Sequence, residues 1–438
     1  MKVKLLALNI ILFSAVSGFA QNANLSGDSL SLSSVIEQVI NNYPAILKAQ
    51  KNINIAEAGV NLAKTAYYPD IDVSGSYSHI GPTSSFDLSA LGLGIFQLFP
   101  ADNEAIALNL NQLIYDFGRT SKNIEVQKGS KTINELTLEN IKQQISLAVA
   151  GNYYSIAFLQ QAIKIKDEEI AALDEHLDFV NKKAATGSAT QFEVLSTQVR
   201  ISTIENQRTD LESALAIQIS QLNSFLGNQP DQNLLLKQNL LATQQVESFE
   251  SLSSIAYANR VDLKIAEEKR KTSESKLALV KTQLYPALNF FASGGWKNGY
   301  IPDLTTPKAN YAVGVGLKVP IFDSGRTKYN KVAAADEIDV NDQEIELTKR
   351  TITNDIVENQ SNIEAALKKL QQSEMQLKQA QQAYQLAETS YGAGTITNLD
   401  LLDSYTALSD TKLTLFKAKI DYTVNYLKLK IALGEKIY

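Results

Sequence analysis

Apolar or small residues recur at three- and four-residue steps along the second half of the chain: Ile345, Ile352, Ile356, Ile363, Leu370, Leu377, Tyr384 and Tyr391. No Pro or Gly intervenes between Gly325 and Gly392. This period predicts a single helix over 326–392. At ~1.5 Å per residue it would be roughly 100 Å long, far beyond an ordinary globular helix. After a turn at Ala393-Gly394-Thr395, a return helix over 397–433 carries Leu401, Leu408, Leu415, Tyr422 and Leu429 at every seventh position. Neighbouring antiparallel segments with that repeat pack as a coiled coil.

The same pattern occurs earlier in the chain. Asp116-Phe117-Gly118-Arg119 returns as Asp323-Ser324-Gly325-Arg326, and Thr186-Gly187-Ser188 as Ala393-Gly394-Thr395, both 207 residues on. Leu138, Ile145, Ile156, Ile163 and Ile170 fall in register with Ile345, Ile352, Ile363, Leu370 and Leu377. Upstream, Tyr68-Pro69 and Tyr285-Pro286 are 217 apart, so the longer first copy has its extra residues between Pro69 and Asp116. The chain is a duplication. Its first repeat covers 21–227, with a long helix over 119–186 and a return helix over 190–226. A Pro230-containing connector spans 228–247, and the second repeat covers 248–438. Each repeat opens with one helix (31–67, 248–284) that ends at Tyr-Pro, where proline bars the helical bond.

Between the opening and long helices the period changes to two, predicting strands at about 69–80, 104–115, 287–297 and 310–321. One face is Asp, Ser, Asn and Gly and the other is apolar; only Phe291 breaks the alternation. Such lengths suit tilted membrane strands, with Tyr77, Trp296 and Tyr311 towards strand ends as an aromatic girdle. Four strands cannot close a barrel alone, and open edges are not tolerated in lipid, so copies must join. Gly118 and Gly325 supply positive φ where strand becomes helix, ahead of Arg119 and Arg326. The 81–103 loop, rich in Leu and Phe, is left to fold over the barrel mouth or to extend the strands.

Composition narrows the function. With no Cys, thiolate catalysis, disulfides and Cys-based zinc sites are excluded. No phosphate loop or nucleophile pattern marks an enzyme, and no cofactor is expected. His79 and His176 are expected on the surface. Lys2 and Lys4, the apolar run to Val16 and Ser17-Gly18-Phe19-Ala20 read as a signal peptide over 1–20. Its removal takes Lys+Arg from 41 to 39 against 47 Asp+Glu, an acidic exported chain unsuited to nucleic acid.

The duplicated order of helix, strand, loop, strand, long helix, Gly turn and helix resembles the TolC family of outer-membrane efflux proteins. The marks are Asn42-Tyr43-Pro44, the Tyr-Pro strand entries, the Asp-x-Gly-Arg pair, and Tyr391-Gly392-Ala393-Gly394-Thr395 before Leu399-Asp400-Leu401-Leu402-Asp403. The resemblance implies a mainly α fold with a membrane β-barrel portion. A homotrimer would share a 12-stranded barrel in outer-membrane lipid, continued by a helical barrel through the periplasm. It would dock a periplasmic adaptor and an inner-membrane transporter as the passive exit duct of an efflux system. A type I protein-secretion duct has the same features, and a soluble periplasmic coiled-coil scaffold is the alternative of another class. The resemblance also implies a periplasmic gate at Asp400, Asp403 and Tyr391, with Glu193 as the first-repeat counterpart of Asp400. A ring of such carboxylates favours cations and raises its own pKa values. The two Gly turns, 186–188 and 393–395, would be the adaptor-contact tips. Ile396 stands where relatives carry the Arg of an ionic lock.

Overall fold

The computed structural model describes residues 30–87, 89–92, 94–237, 240 and 248–438. The expected signal peptide and part of the connector lie outside them. Each repeat is built around one 67-residue helix, α3 (Arg119–Ala185) and α7 (Arg326–Gly392). Two shorter segments lie in succession beside each of these. Next to α3 are α2 (Pro44–Thr65) on the strand side and α4 (Gln191–Leu226) towards the turn. Next to α7 are α6 (Val261–Lys281) and α8 (Asn398–Ala432).

The opening helices differ from the expectation. Instead of one helix over 31–67 there are α1 (Leu32–Asn42) and α2, broken where Tyr43 is extended and Pro44 takes the first helical position. Proline is well placed there, because that N–H needs no intrahelical partner. The second repeat breaks at the equivalent point, between α5 (Phe249–Asn259) and α6, without a proline. There Arg260 is extended, with its guanidinium on Asp262 at 2.6 Å, Asp355 at 2.9 Å and the Ala432 carbonyl at 3.3 Å. A side-chain network replaces ring geometry.

The strands are β1 (Asp70–His79), β2 (Ser85–Asp87), β3 (Ile95–Gln97), β4 (Asp102–Tyr115), β5 (Ala287–Lys297) and β6 (Lys308–Lys318). β1, β4, β5 and β6 form one antiparallel sheet in that order, while β2 and β3 make a separate hairpin within the 81–103 loop. Directly paired residues share a face. Ile71, Val73, Ile106, Leu108, Val313 and Val315 therefore lie on one face with Tyr77, Trp296 and Tyr311, all exposed. The other face is polar, and on it Asn109 donates to Asp72 at 2.9 Å and Ser74 at 3.0 Å. Phe291 belongs to this polar face because its ring covers Gly314, where any Cβ would collide with it. An aromatic over a cross-strand glycine restores packing that the glycine lacks.

No described helix is long and apolar enough to cross a membrane. The helical core is a set of seams between neighbouring helices. Val149, Tyr153 and Ile156 of α3 pack with α1, α4 and α8, while Ile352, Ile356 and Ile363 of α7 pack with α5 and α8. Fully burying each such side chain stabilises by about 1.5–3 kcal/mol.

Candidate functional site

Both strand-to-helix turns share one geometry. Phe117 and Gly118, like Ser324 and Gly325, have positive φ, so the unspecified residue of Asp-x-Gly-Arg is also left-handed. Asp116 accepts from Thr120 N at 2.7 Å and Thr120 Oγ1 at 2.6 Å; Asp323 accepts from Thr327 N at 2.8 Å and Oγ1 at 2.5 Å. The Thr327 hydroxyl and amide hold the Asp323 carboxyl below its usual range. The motif thus extends to Thr120 and Thr327, a repeat readable in the sequence at the same 207 spacing.

At the far ends of α3 and α7, the turns reverse the chain through Gly187 and Gly394, both with positive φ. Ser188 N donates to the Lys183 carbonyl at 2.8 Å and Thr395 N to the Ser390 carbonyl at 2.9 Å, closing both helices in the same way. Thr186, Ser188, Ala393 and Thr395 complete these turns, and all six turn residues are exposed. The following helices begin with reciprocal caps. Thr190 and Glu193 form one capping box, and Thr397 and Asp400 the other.

That equivalence has unequal consequences. Asp400 is held on its own cap, with Oδ2 accepting from Thr397 N at 2.9 Å and Oγ1 at 2.6 Å. Those bonds, the Thr397 hydroxyl first and then its amide, lower its pKa within the single chain. Glu193 is one methylene longer. Its Oε1 serves the cap while Oε2 accepts from Tyr391 Oη at 3.1 Å. Burial, then the Glu193 bond, pushes the Tyr391 hydroxyl up to about 12. Lys183 Nζ sits over the rings of Tyr391 and Phe179, at 4.7 Å and 4.8 Å from their centroids.

Two further links bind the repeats here. Arg200 of α4 donates to Asp403 of α8 at 2.6 Å. Buried Asn398 donates to Thr197 Oγ1 at 3.2 Å, and its Oδ1 lies 2.6 Å from His176 Nε2. His176 is therefore not a surface residue: it is half-buried and joins α3 to α8, whereas His79 is exposed beside Asp102 at a strand end. Sequence reasoning missed Arg200, Asn398, His176 and Lys183. Arg200 lies three residues past Thr197, and nothing in its local pattern points to a partner 203 residues away.

Between α3, α7 and α8 lies a cavity of about 310 Å³ lined by Leu173, His176, Phe179, Tyr384, Tyr391 and Tyr405. Among the described residues no cluster of three or more His, Cys, Asp and Glu has metal-binding geometry. The site is a junction of aromatic, hydrogen-bonding and ionic contacts that ties one helical hairpin to the other.

The family described as outer membrane efflux protein matches residues 35–228 and 252–435, one segment per repeat. Outer membrane protein TolC of Salmonella enteritidis is 20% identical, covering 98% of this chain and 86% of its own. Its namesake from Vibrio cholerae is 22% identical over 92% of this chain and 90% of its own. Among solved structures, the Campylobacter jejuni CmeC outer membrane channel superposes with a TM-score of 0.76 at 14% identity, covering 99% of this chain and 94% of that one.

Proposed function

The chain belongs to the outer membrane efflux protein family, forming an outer-membrane exit duct of an efflux system, and from that premise we propose how the duct closes. Three copies join their four-stranded sheets into one 12-stranded barrel. The long helices continue it as a tunnel whose far end is gated by Tyr391, Glu193, Asp400 and Asp403. The carrying observation is the sheet itself. One face is largely apolar and exposed, and β1 and β6 leave two open edges of opposite direction. An even number of alternating strands lets copies meet edge to edge and remain antiparallel. A lone four-stranded sheet leaves its edge groups unsatisfied in lipid, so copies must close the barrel. In this reading Tyr77, Trp296 and Tyr311 sit at the lipid interface. Residues 1–20 direct export and are removed.

The gate is a lock between hairpins. Tyr391–Glu193, Arg200–Asp403 and His176–Asn398 all cross from the first repeat to the second. Arg200 supplies the positive charge that Ile396 lacks. The tips at 186–188 and 393–395 receive a periplasmic adaptor, which links the duct to an inner-membrane transporter and draws the second hairpin away from the first.

Planar-bilayer conductance tests the lock. Arg200→Ala with Tyr391→Phe is expected to raise the resting conductance, and Asp400→Ala with Asp403→Ala to lower cation preference. Resting conductance and selectivity identical to the unmodified channel would refute the gate assignment.

A further inference from the structure

Only one boundary between repeats is filled within the chain. There β4 pairs with β5, and α6 lies against α3 as well as α7. There too Arg119 Nη2 donates to the carbonyls of Thr282 at 3.2 Å, Gln283 at 3.3 Å and Tyr285 at 3.0 Å. The equivalent parts at the chain's outer boundary are open. β6 and β1 are bare edges, and α2 has α3 as its long-helix partner but no comparable contact with α7. The Arg326 guanidinium is exposed and makes no hydrogen bond or ion pair among the described residues.

We propose that Arg326 is a subunit clamp, donating to the Thr65, Ala66 and Tyr68 carbonyls at the end of α2 in a second copy of this chain. The clamp repeats across the subunit boundary what Arg119 does within the chain, and it rests on the ring of copies proposed above. Three observations lead to it.

The acceptor site is already built. Tyr68 N donates to the Thr65 carbonyl at 2.9 Å, as Tyr285 N donates to Thr282 at 3.0 Å, so the same turn presents the same carbonyls. Helix C-terminal carbonyls carry partial negative charge, and a guanidinium offers a rigid fork of donors to them.

The facing helices are left uncovered at the same level, where the outer boundary needs a wider fit than the inner one. Gly129 of α3 meets Thr272 of α6 so closely that a Cβ would strike it. The equivalent positions are Asp336 on α7 and Ile55 on α2. Ile55 and Leu62 are exposed along that stripe of α2, and Val332 and Val340 along that of α7. The counterparts of Ile55, Leu62 and Val340 at the internal boundary, Thr272, Leu279 and Ile133, are buried or half-buried there, while that of Val332, Glu125, is exposed.

The strand registers agree as well. Offsets of 217 and 207 carry the β1–β4 pair Asp70 and Asn111 onto the β5–β6 pair Ala287 and Lys318. The same offsets transfer the β4–β5 pair Asn111 and Phe291 to Lys318 opposite Ser74 of the second copy. Both lie on the polar face, so the transferred register keeps every strand's apolar side outward.

The absence of native cysteine makes the test clean. Ser74→Cys with Lys318→Cys, oxidised in outer-membrane preparations, is expected to give a covalent dimer and trimer ladder on denaturing gels that thiol reverses. Ser78→Cys with Lys318→Cys, displaced by four residues or about 13 Å, is expected to give none. A ladder from the displaced pair instead of the matched pair overturns the register. A chain that sediments as a monomer in detergent and cross-links with neither pair overturns the ring itself. Arg326→Ala then isolates the clamp. Its rings should dissociate several degrees lower on semi-native gels, with helicity unchanged and the matched cross-link retained, and Arg326→Lys should restore part of the loss. An unchanged dissociation temperature with intact rings overturns the clamp and leaves the ring standing.

Discussion

The two long helices have the same length and the same heptad register, yet α3 buries 21 residues and α7 only nine. The difference lies in neighbours more than in apolar content. α3 stands inside the chain, flanked by α2, α4, α6 and α8, whereas α7 stands at its edge with α5, α6 and α8 on one side. The exposed Tyr329, Val332, Val340 and Leu347 of α7 mark a face that an isolated chain leaves wet. Repeats of one architecture acquire different environments because one long helix lies between neighbours and the other at an edge, and the ring proposed above would restore their equivalence.

The comparison is sharpest where the repeats should behave alike. Ile156→Ala and Ile363→Ala remove equivalent, fully buried side chains. Each is expected to cost about 2–5 kcal/mol in denaturant unfolding of the detergent-solubilised protein. A large gap between the two would break the claim that the seams are equivalent.

The proposed gate is where the repeats should differ. Tyr391→Phe removes a hydrogen bond to a carboxylate, worth about 1.5–3 kcal/mol, so the closed state should lose roughly 10- to 150-fold in weight. Conductance recordings read this directly. The hydroxyl is raised from 10 to about 12 in the folded protein. Its contribution is therefore complete below pH 10 and is lost as pH rises through about 12. Alkaline opening in that window should be present in the unmodified channel and absent in Tyr391→Phe.

Arg200→Ala is expected to act in the same direction but more weakly. The pair is partly exposed, and such pairs contribute about 0.2–1 kcal/mol. High salt should mask its effect and leave that of Tyr391→Phe.

The smallest effect separates edge from interior. Val340→Ala should leave the unfolding of dissociated monomers unchanged while lowering the temperature at which assembled rings dissociate. A loss in monomer stability would show that this face of α7 is already covered within the chain.

Much of this was legible in the sequence, because periodicity is local. The 3.6-residue and seven-residue patterns locate α3, α4, α7 and α8, and the period of two locates the four sheet strands and their apolar face. The break at Pro44 is written in proline's missing N–H, although the apolar period runs on through it. Its counterpart at Arg260 was not readable, since a side-chain network reaching Asp355 and Ala432 holds it. The same holds for Phe291, which looks misplaced within β5 until β6 brings Gly314 beneath it.

The sequence by itself determined the duplication, the class of each element and the residues that could carry a gate. Only the tertiary structure decided what those residues do. It commits Asp400 to a cap, joins Glu193 to Tyr391, gives Asp403 to Arg200 and draws His176 inward to Asn398. The reason is distance along the chain. Element type follows from patterns spanning a few turns, whereas each of these contacts between the repeats pairs residues about two hundred positions apart, which meet only because α8 of the second repeat packs against α3 and α4 of the first.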